Sequence, residues 1–157
     1  MVVVANSTPL IALSKIGLFG LLKEYFGEVI ITDEVYAEVV TRGGDLFGAR
    51  EVSTSEWIKI INPENRLAVE SLSVHLGRGE AEAIVLAKEK NLLIIDDKDG
   101  RTIAATLGIP ITGTVGLMKL AAEDGKVDLK KTLDELMASG FRLSKSEYKK
   151  IIDGNYS

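Results

Sequence analysis

Apolar and polar positions along the chain follow two alternating rhythms. Short β-branched runs, as in buried strands, are separated by stretches where apolar residues recur every three or four positions, as in amphipathic helices. Val2–Ala5 reads as the first strand, and Pro9 suits the first turn of the helix after it. Leu10, Leu13, Leu18, Leu21 and Leu22 make one helix or two around the break at Gly17, and Gly27 stops them. Val29–Ile31 is the second strand, with Thr32 or Asp33 capping a helix through Val40. Residues 42–56 are Gly-rich and read as a loop with a short helix, followed by an edge strand over Trp57–Ile61. The pattern then predicts helices over Arg66–Val74 and Glu80–Lys90, separated by Gly77-Arg78-Gly79. Leu92–Ile95 is the strongest strand, Gly100–Leu107 a helix, Ile109–Ile111 a strand and Val115–Glu123 a helix. Helices over Asp128–Ser139 and Ser144–Asp153 complete the chain, the latter opening with a Ser144-x-x-Glu147 capping box.

Strands alternating with helices predict an α/β fold: a single three-layer α/β/α domain with a central, mostly parallel sheet. With 157 residues, one domain over 1–157 is expected, residues 126–157 being a helical C-terminal extension. In such sheets the ligand site lies beyond the carboxyl ends of the strands, which directs attention to the polar residues there.

Composition narrows the chemistry. The absence of cysteine excludes a disulfide framework, a thiolate nucleophile and a thiolate zinc site. One histidine leaves Ser-His-Asp hydrolysis and multi-histidine zinc sites thinly supplied. The apolar runs, Val2–Ala5 and Leu92–Ile95 among them, fall far short of a bilayer span, and the N-terminal stretch lacks the pattern of a secretory signal. A cytoplasmic protein without membrane contact is expected. The net charge of −4 lacks the basic footprint of a protein that grips nucleic acid by charge alone. A polyanionic substrate would need a divalent cation to offset the acids.

Two predicted strands end in polar groups, Asn6-Ser7-Thr8 and Asp96-Asp97-Lys98-Asp99. Three carboxylates within four residues raise one another's pKa unless a cation or donor intervenes. Helix capping accounts best for Asp99, directly before the predicted helix, and less well for Asp96 and Asp97. Glu80 shares a helical stripe with Ala83, Ile84 and Ala87, which puts a carboxylate in line with a buried face. Glu82 lies on the other side with Val85, Leu86 and Glu89, and Glu38 sits on the helix after the second strand. Taken singly, each glutamate is explained by a helix dipole or a solvated face. Converging at one sheet edge, they would make an oxygen site for Mg²⁺ or Mn²⁺ suited to metal-assisted hydrolysis.

At these residues the chain resembles the PIN-domain family, most closely a prokaryotic branch that opens with a strand and Asn/Asp-Ser/Thr-Ser/Thr-Pro-Leu-Ile. The matching segments are Val4-Ala5-Asn6-Ser7-Thr8-Pro9-Leu10-Ile11, Gly79-Glu80-Ala81-Glu82-Ala83-Ile84, and Asp96-Asp97-Lys98-Asp99-Gly100-Arg101 leading to Thr112-Gly113-Thr114. They occur in order over roughly residues 1–125. The resemblance implies an α/β/α nuclease fold and a Mg²⁺- or Mn²⁺-dependent ribonuclease. Many relatives are toxins of toxin–antitoxin pairs, restrained by a small antitoxin protein. The family's acidic quartet falls on Asn6, Glu38, Glu80 (Glu82 as second choice) and Asp97 (Asp96 as second choice), with Asp99 a further acid. Ser7 or Thr8 would be a supporting hydroxyl. Asn6 departs from the pattern, because an amide oxygen can ligate a hard cation but brings no charge and cannot act as a base. Weaker metal binding is therefore expected. The alternative is a weakly active or inactive module that binds RNA or protein, and a phosphomonoester hydrolase shares the same metal logic.

The remaining polar and aromatic residues have competing readings. Arg101 could meet a scissile phosphate or make a structural ion pair, and Thr114 could face substrate or cap the next helix. His75 receives no role, and Trp57 and Phe47 stack on bases or pack in the core. Leu18-Phe19 with Leu21-Leu22, and the helix carrying Tyr148, Ile151 and Ile152, serve either the core or a homodimer.

Overall fold

The computed structural model of the chain describes residues 2–44 and 46–154. Five short strands carry the sheet: β1 Val3–Ala5, β2 Val29–Ile31, β3 Ile58–Ile60, β4 Leu92–Ile94 and β5 Ile111–Thr112. Their order is β3-β2-β1-β4-β5 and every pairing is parallel, with Val4 opposite both Ile30 and Leu93. β3 is an edge strand, as its mixed sequence predicts.

Between the strands run α1 (Ser7–Lys15), α2 (Leu21–Phe26), α3 (Asp33–Tyr36), α4 (Ala49–Thr54), α5 (Arg66–Ser73), α6 (Arg78–Glu89) and α7 (Lys98–Thr106). Side chains alternate across a strand. On one face Val4, Ile30, Leu93 and Ile95 pack with Ala83, Ile84, Leu86 and Ala87 of α6 and Ala104 of α7. Val3, Ala5, Val29, Ile31 and Ile94 are just as buried, because both faces of a parallel sheet are covered. The arrangement is the expected three-layer α/β/α fold with a central parallel sheet.

The chain groups into two compact units, Met1–Thr114 and Val115–Ser157. The first holds the whole sheet. From Thr114 onward come α8 (Thr114–Glu123), α9 (Leu129–Ala138) and α10 (Lys145–Ile152). Val115, Leu133 and Ile151 form the core of the second unit, flanked by Leu129, Phe141, Leu143 and Tyr148. The predicted capping box opens α10: Ser144 Oγ accepts from the Glu147 amide at 3.0 Å, and Glu147 accepts from the Ser144 amide at 3.3 Å.

The leucine-rich segment, read as one helix or two, is two, because Gly17 and Gly27 adopt positive φ at the expected breaks and separate α1, α2 and β2. Several boundaries differ from the sequence expectation for local reasons. The helix expected to run to Val40 stays helical but widens into a π-turn over Ala37–Thr41, where the Arg42 amide reaches the Ala37 carbonyl at 2.7 Å. α6 begins at Arg78, so of the expected Gly-Arg-Gly separator Gly77 is the N-cap and Arg78 and Gly79 belong to the first turn. β5 starts two residues late, because Pro110 has no amide to donate; its carbonyl accepts from Leu93 instead. Trp57 pairs with Phe19, ring centroids 5.2 Å apart, and is committed to packing.

Candidate active site

β1 and β4 are neighbours at the point where the strand order reverses, and such a switch point opens a crevice beyond the carboxyl ends. A cleft of about 320 Å³ lies there, lined by Asn6, Ser7 and Thr8 after β1, Glu34 and Glu38 after β2, Gly77, Arg78, Gly79 and Glu80 at the start of α6, and Asp97 after β4.

Each side chain reaches the cleft for its own local reason. Asn6 holds the N-cap position of α1, where asparagine is favoured, yet its side chain makes no capping bond. It is 3% exposed, and its Oδ1 has no hydrogen-bond partner. Ser7 opens α1, and its hydroxyl donates to Glu38 Oε2 at 3.0 Å. Glu38 itself stands in the π-turn, a wide turn that often marks functional positions. Burial holds its carboxyl above the usual range, the Ser7 hydrogen bond opposing and the Glu34 charge adding.

Gly79 explains a glycine inside a helix. A Cβ there would collide with Glu38 Oε1, so the helix backbone can approach the carboxylate only without a side chain. Glu80 follows from the same turn, and no N–H or hydroxyl of the chain donates to its buried Oε2. Burial pushes its carboxyl up to about 7, helped by the neighbouring Asp97, which favours a proton held between the two acids and repels a second negative charge. A backbone hydrogen bond at Gly77 offsets part of this. Asp97 is the N-cap of α7, its Oδ2 accepting from the Gly100 amide at 2.8 Å.

Other residues singled out in the sequence lie apart from the cleft lining. Glu82 is 4% exposed and its Oε1 is bound by Arg66 at 3.0 Å and Arg78 at 3.4 Å. Asp96 accepts from both the amide and the hydroxyl of Thr114, at 2.7 and 2.6 Å. Thr114 is fully buried, with both groups used on Asp96, and Arg101 donates to the Ile95 carbonyl at 3.0 Å. The two residues thus serve the Asp96 corner. Asp99 lies exposed in the first turn of α7, and the cap expected of it belongs to Asp97. Glu34, Arg78 and Gly79 line the cleft without having been marked for it in the sequence. The glycine directly before an acid at a helix start was the available signal. Among the described residues no three acidic or histidine side chains close into a metal shell by themselves.

Two expected outcomes follow from this geometry. Glu38, Glu80 and Asp96 all have raised pKa values, so the folded protein binds protons more tightly than the unfolded chain. That contribution to stability is complete below the unfolded carboxyl pKa and fades as pH rises through about 7 for Glu80. In EDTA, thermal unfolding should shift down by roughly 3–6 °C between pH 5 and 8, and Glu80→Gln should flatten the profile, its share being about 1–2 kcal/mol after solvent screening. A flat wild-type profile would contradict the crowding of these acids. Gly79→Ala should leave unfolding nearly unchanged, because the group it strikes is the free end of a flexible glutamate. It should instead push Glu38 aside, so that any Mn²⁺ affinity of the cleft falls at least tenfold by calorimetry, whereas an unchanged affinity would place Glu38 outside a metal site.

Fold and crevice together define a class: parallel α/β/α domains with an acid-lined cleft at the switch point. A family model described as a PIN domain matches residues 2–155, spanning both compact units, and the chain belongs to the PIN-domain family. Membership carries a nuclease-like fold, and PIN domains generally use divalent metal ions. No curated protein and no solved structure matches the chain. Among the described residues no helix is long and apolar enough to cross a membrane.

Proposed function

We propose that this protein is a Mg²⁺- or Mn²⁺-dependent ribonuclease whose cation is held by Glu38, Glu80, Asp97 and the amide oxygen of Asn6. The observation that carries the reading is a pair of buried oxygens without donors, Asn6 Oδ1 and Glu80 Oε2, in the lining of one cleft. Buried acceptors left unpaired are expensive, and neither has a structural duty here: Asn6 does not cap its helix. A hard cation prefers such oxygen ligands and would relieve the repulsion between Glu80 and Asp97. Water and substrate phosphate would complete the shell that the acids leave open.

When bound, the cation activates water and neutralises charge building on the scissile phosphate. The chain's own groups prepare for this. Ser7 fixes the rotation of the Glu38 carboxylate, and Gly79 lets the helix backbone close against it. Glu80, its carboxyl raised to about 7, would have to lose its proton to ligate a cation, so affinity for the cation should rise with pH through about 7. Asp99, two residues beyond Asp97, would act as an outer ligand or orient water.

Cleavage of labelled single-stranded RNA in Mn²⁺, abolished by EDTA, is the expected result. A folded protein that leaves RNA intact in both Mg²⁺ and Mn²⁺ would move the assignment to a non-catalytic binding module. Asn6→Asp should tighten Mn²⁺ binding about tenfold or more by adding a charge to the donor set. An unchanged affinity would remove Asn6 from the site.

A further inference from the structure

The cleft lining is strongly acidic: Glu34, Glu38, Glu80 and Asp97 face a single cation, Arg78. Glu34 is neutralised from outside the lining by Arg42, whose Nη2 donates to it at 2.6 Å. An extended polyanion entering here needs positive groups for the phosphates flanking the one that reacts, and a cation at the acids serves only one of them.

Arg78 is placed to do this because its structural partner does not require it. Its Nε approaches Glu82 Oε1 at 3.4 Å, while Arg66 Nη2 holds the same oxygen at 3.0 Å. Glu82 is buried on α6 and paired with Arg66 of α5, and one arginine is enough to balance its charge. The Arg78 side chain remains 61% exposed. It also precedes Gly79, the residue that admits the Glu38 carboxylate, so the turn that builds the acid site presents the arginine at its rim.

We propose that Arg78 is a substrate-binding residue that grips an RNA phosphate next to the scissile one, leaving Glu82 to Arg66 when RNA arrives. The proposal rests on the ribonuclease reading for its substrate class. Arg78 contributes to affinity and register, whereas the acids carry the chemistry.

The test compares wild type, Arg78→Ala and Arg78→Lys in two assays: Mn²⁺-dependent cleavage of a labelled RNA oligonucleotide, and its binding by fluorescence anisotropy in EDTA across a salt series. Arg78→Ala is expected to raise KM about tenfold with kcat within twofold, and to reduce the salt slope of binding by about 0.7, the contribution of one phosphate contact on a single strand. Arg78→Lys should recover the salt slope but only part of the affinity, since lysine lacks the forked geometry. The melting temperature should stay within about one degree of wild type, because Arg66 keeps Glu82 paired. If wild type cleaves RNA and Arg78→Ala matches it in KM and salt slope, the inference is overturned while the nuclease reading stands. If wild type does not cleave but binds RNA with a salt slope that drops in Arg78→Ala, the RNA-phosphate contact of Arg78 stands and the nuclease reading falls. Binding indifferent to the substitution, or a loss that tracks a fall in melting temperature, overturns the inference in either case.

Discussion

Asp97→Asn is expected to lower RNA cleavage at least a hundredfold, about 2.7 kcal/mol of transition-state stabilisation, without unfolding the protein. The substitution separates the two duties of this side chain. As N-cap of α7, Asp97 needs only an acceptor for the Gly100 amide, and asparagine caps as well as aspartate. As an acid of the cleft it needs its charge, which asparagine removes. The neighbouring Glu80 should report the change independently. Asp97 contributes to raising the Glu80 pKa both as hydrogen-bond partner and as charge, so in Asp97→Asn that pKa should fall below about 7. NMR titration of the Glu80 carboxyl carbon would measure it. Asp97→Ala provides the contrast: it should lose about 1 kcal/mol of stability with the cap as well as activity. Wild-type turnover in a folded Asp97→Asn protein would exclude this acid from the chemistry.

Asp96→Ala should produce the largest loss of stability, about 3 kcal/mol, or roughly 6–12 °C in melting temperature. Asp96 receives two short hydrogen bonds from Thr114, one from the amide and one from the hydroxyl, and Thr114 is fully buried. Removing the carboxylate would leave two buried donors unpaired, which costs more than the bonds themselves contribute. The corner is tight: a Cβ on Gly113 would stand 2.6 Å from Asp96 Oδ1 and 2.8 Å from an Arg101 nitrogen. Asp96→Asn keeps one acceptor for the amide and should cost less. Both variants should retain Mn²⁺ binding where Asp97→Asn loses it, because Asp96 is occupied by Thr114 and does not line the cleft. A melting temperature equal to wild type in Asp96→Ala would refute the structural role.

The elements that local pattern controls were legible from the chain itself. Val3–Ala5 and Leu92–Ile94 are buried on both faces, so their composition alone marks them as central parallel strands. Ser144 and Glu147 declare the start of α10 because a capping box is complete within four residues. The stripe of Glu80 with Ala83, Ile84 and Ala87 was readable for the same reason, since those alanines and Ile84 do face the core. The resemblance to the PIN-domain family grouped Asn6, Glu38, Glu80 and Asp97 as one set, and all four line the cleft.

What remained hidden depended on partners distant in the chain. Glu80 and Glu82 are two residues apart and chemically identical. Only Arg66, brought alongside by α5, commits Glu82 to an ion pair and leaves Glu80 in the cleft. Gly79 looked like a break in a helix because a glycine carries no local record of what lies against it; the Glu38 carboxylate does. Asp96, Asp97 and Asp99 read as one acidic run, and the fold gives each a separate fate: held by Thr114, capping α7 beside Glu80, and exposed. The sequence by itself determined the class of fold and which segments could carry acids to its edge, because periodicity and capping act over a few residues. The tertiary structure alone decided which acids stay unneutralised, because that depends on which charges and donors meet across the fold.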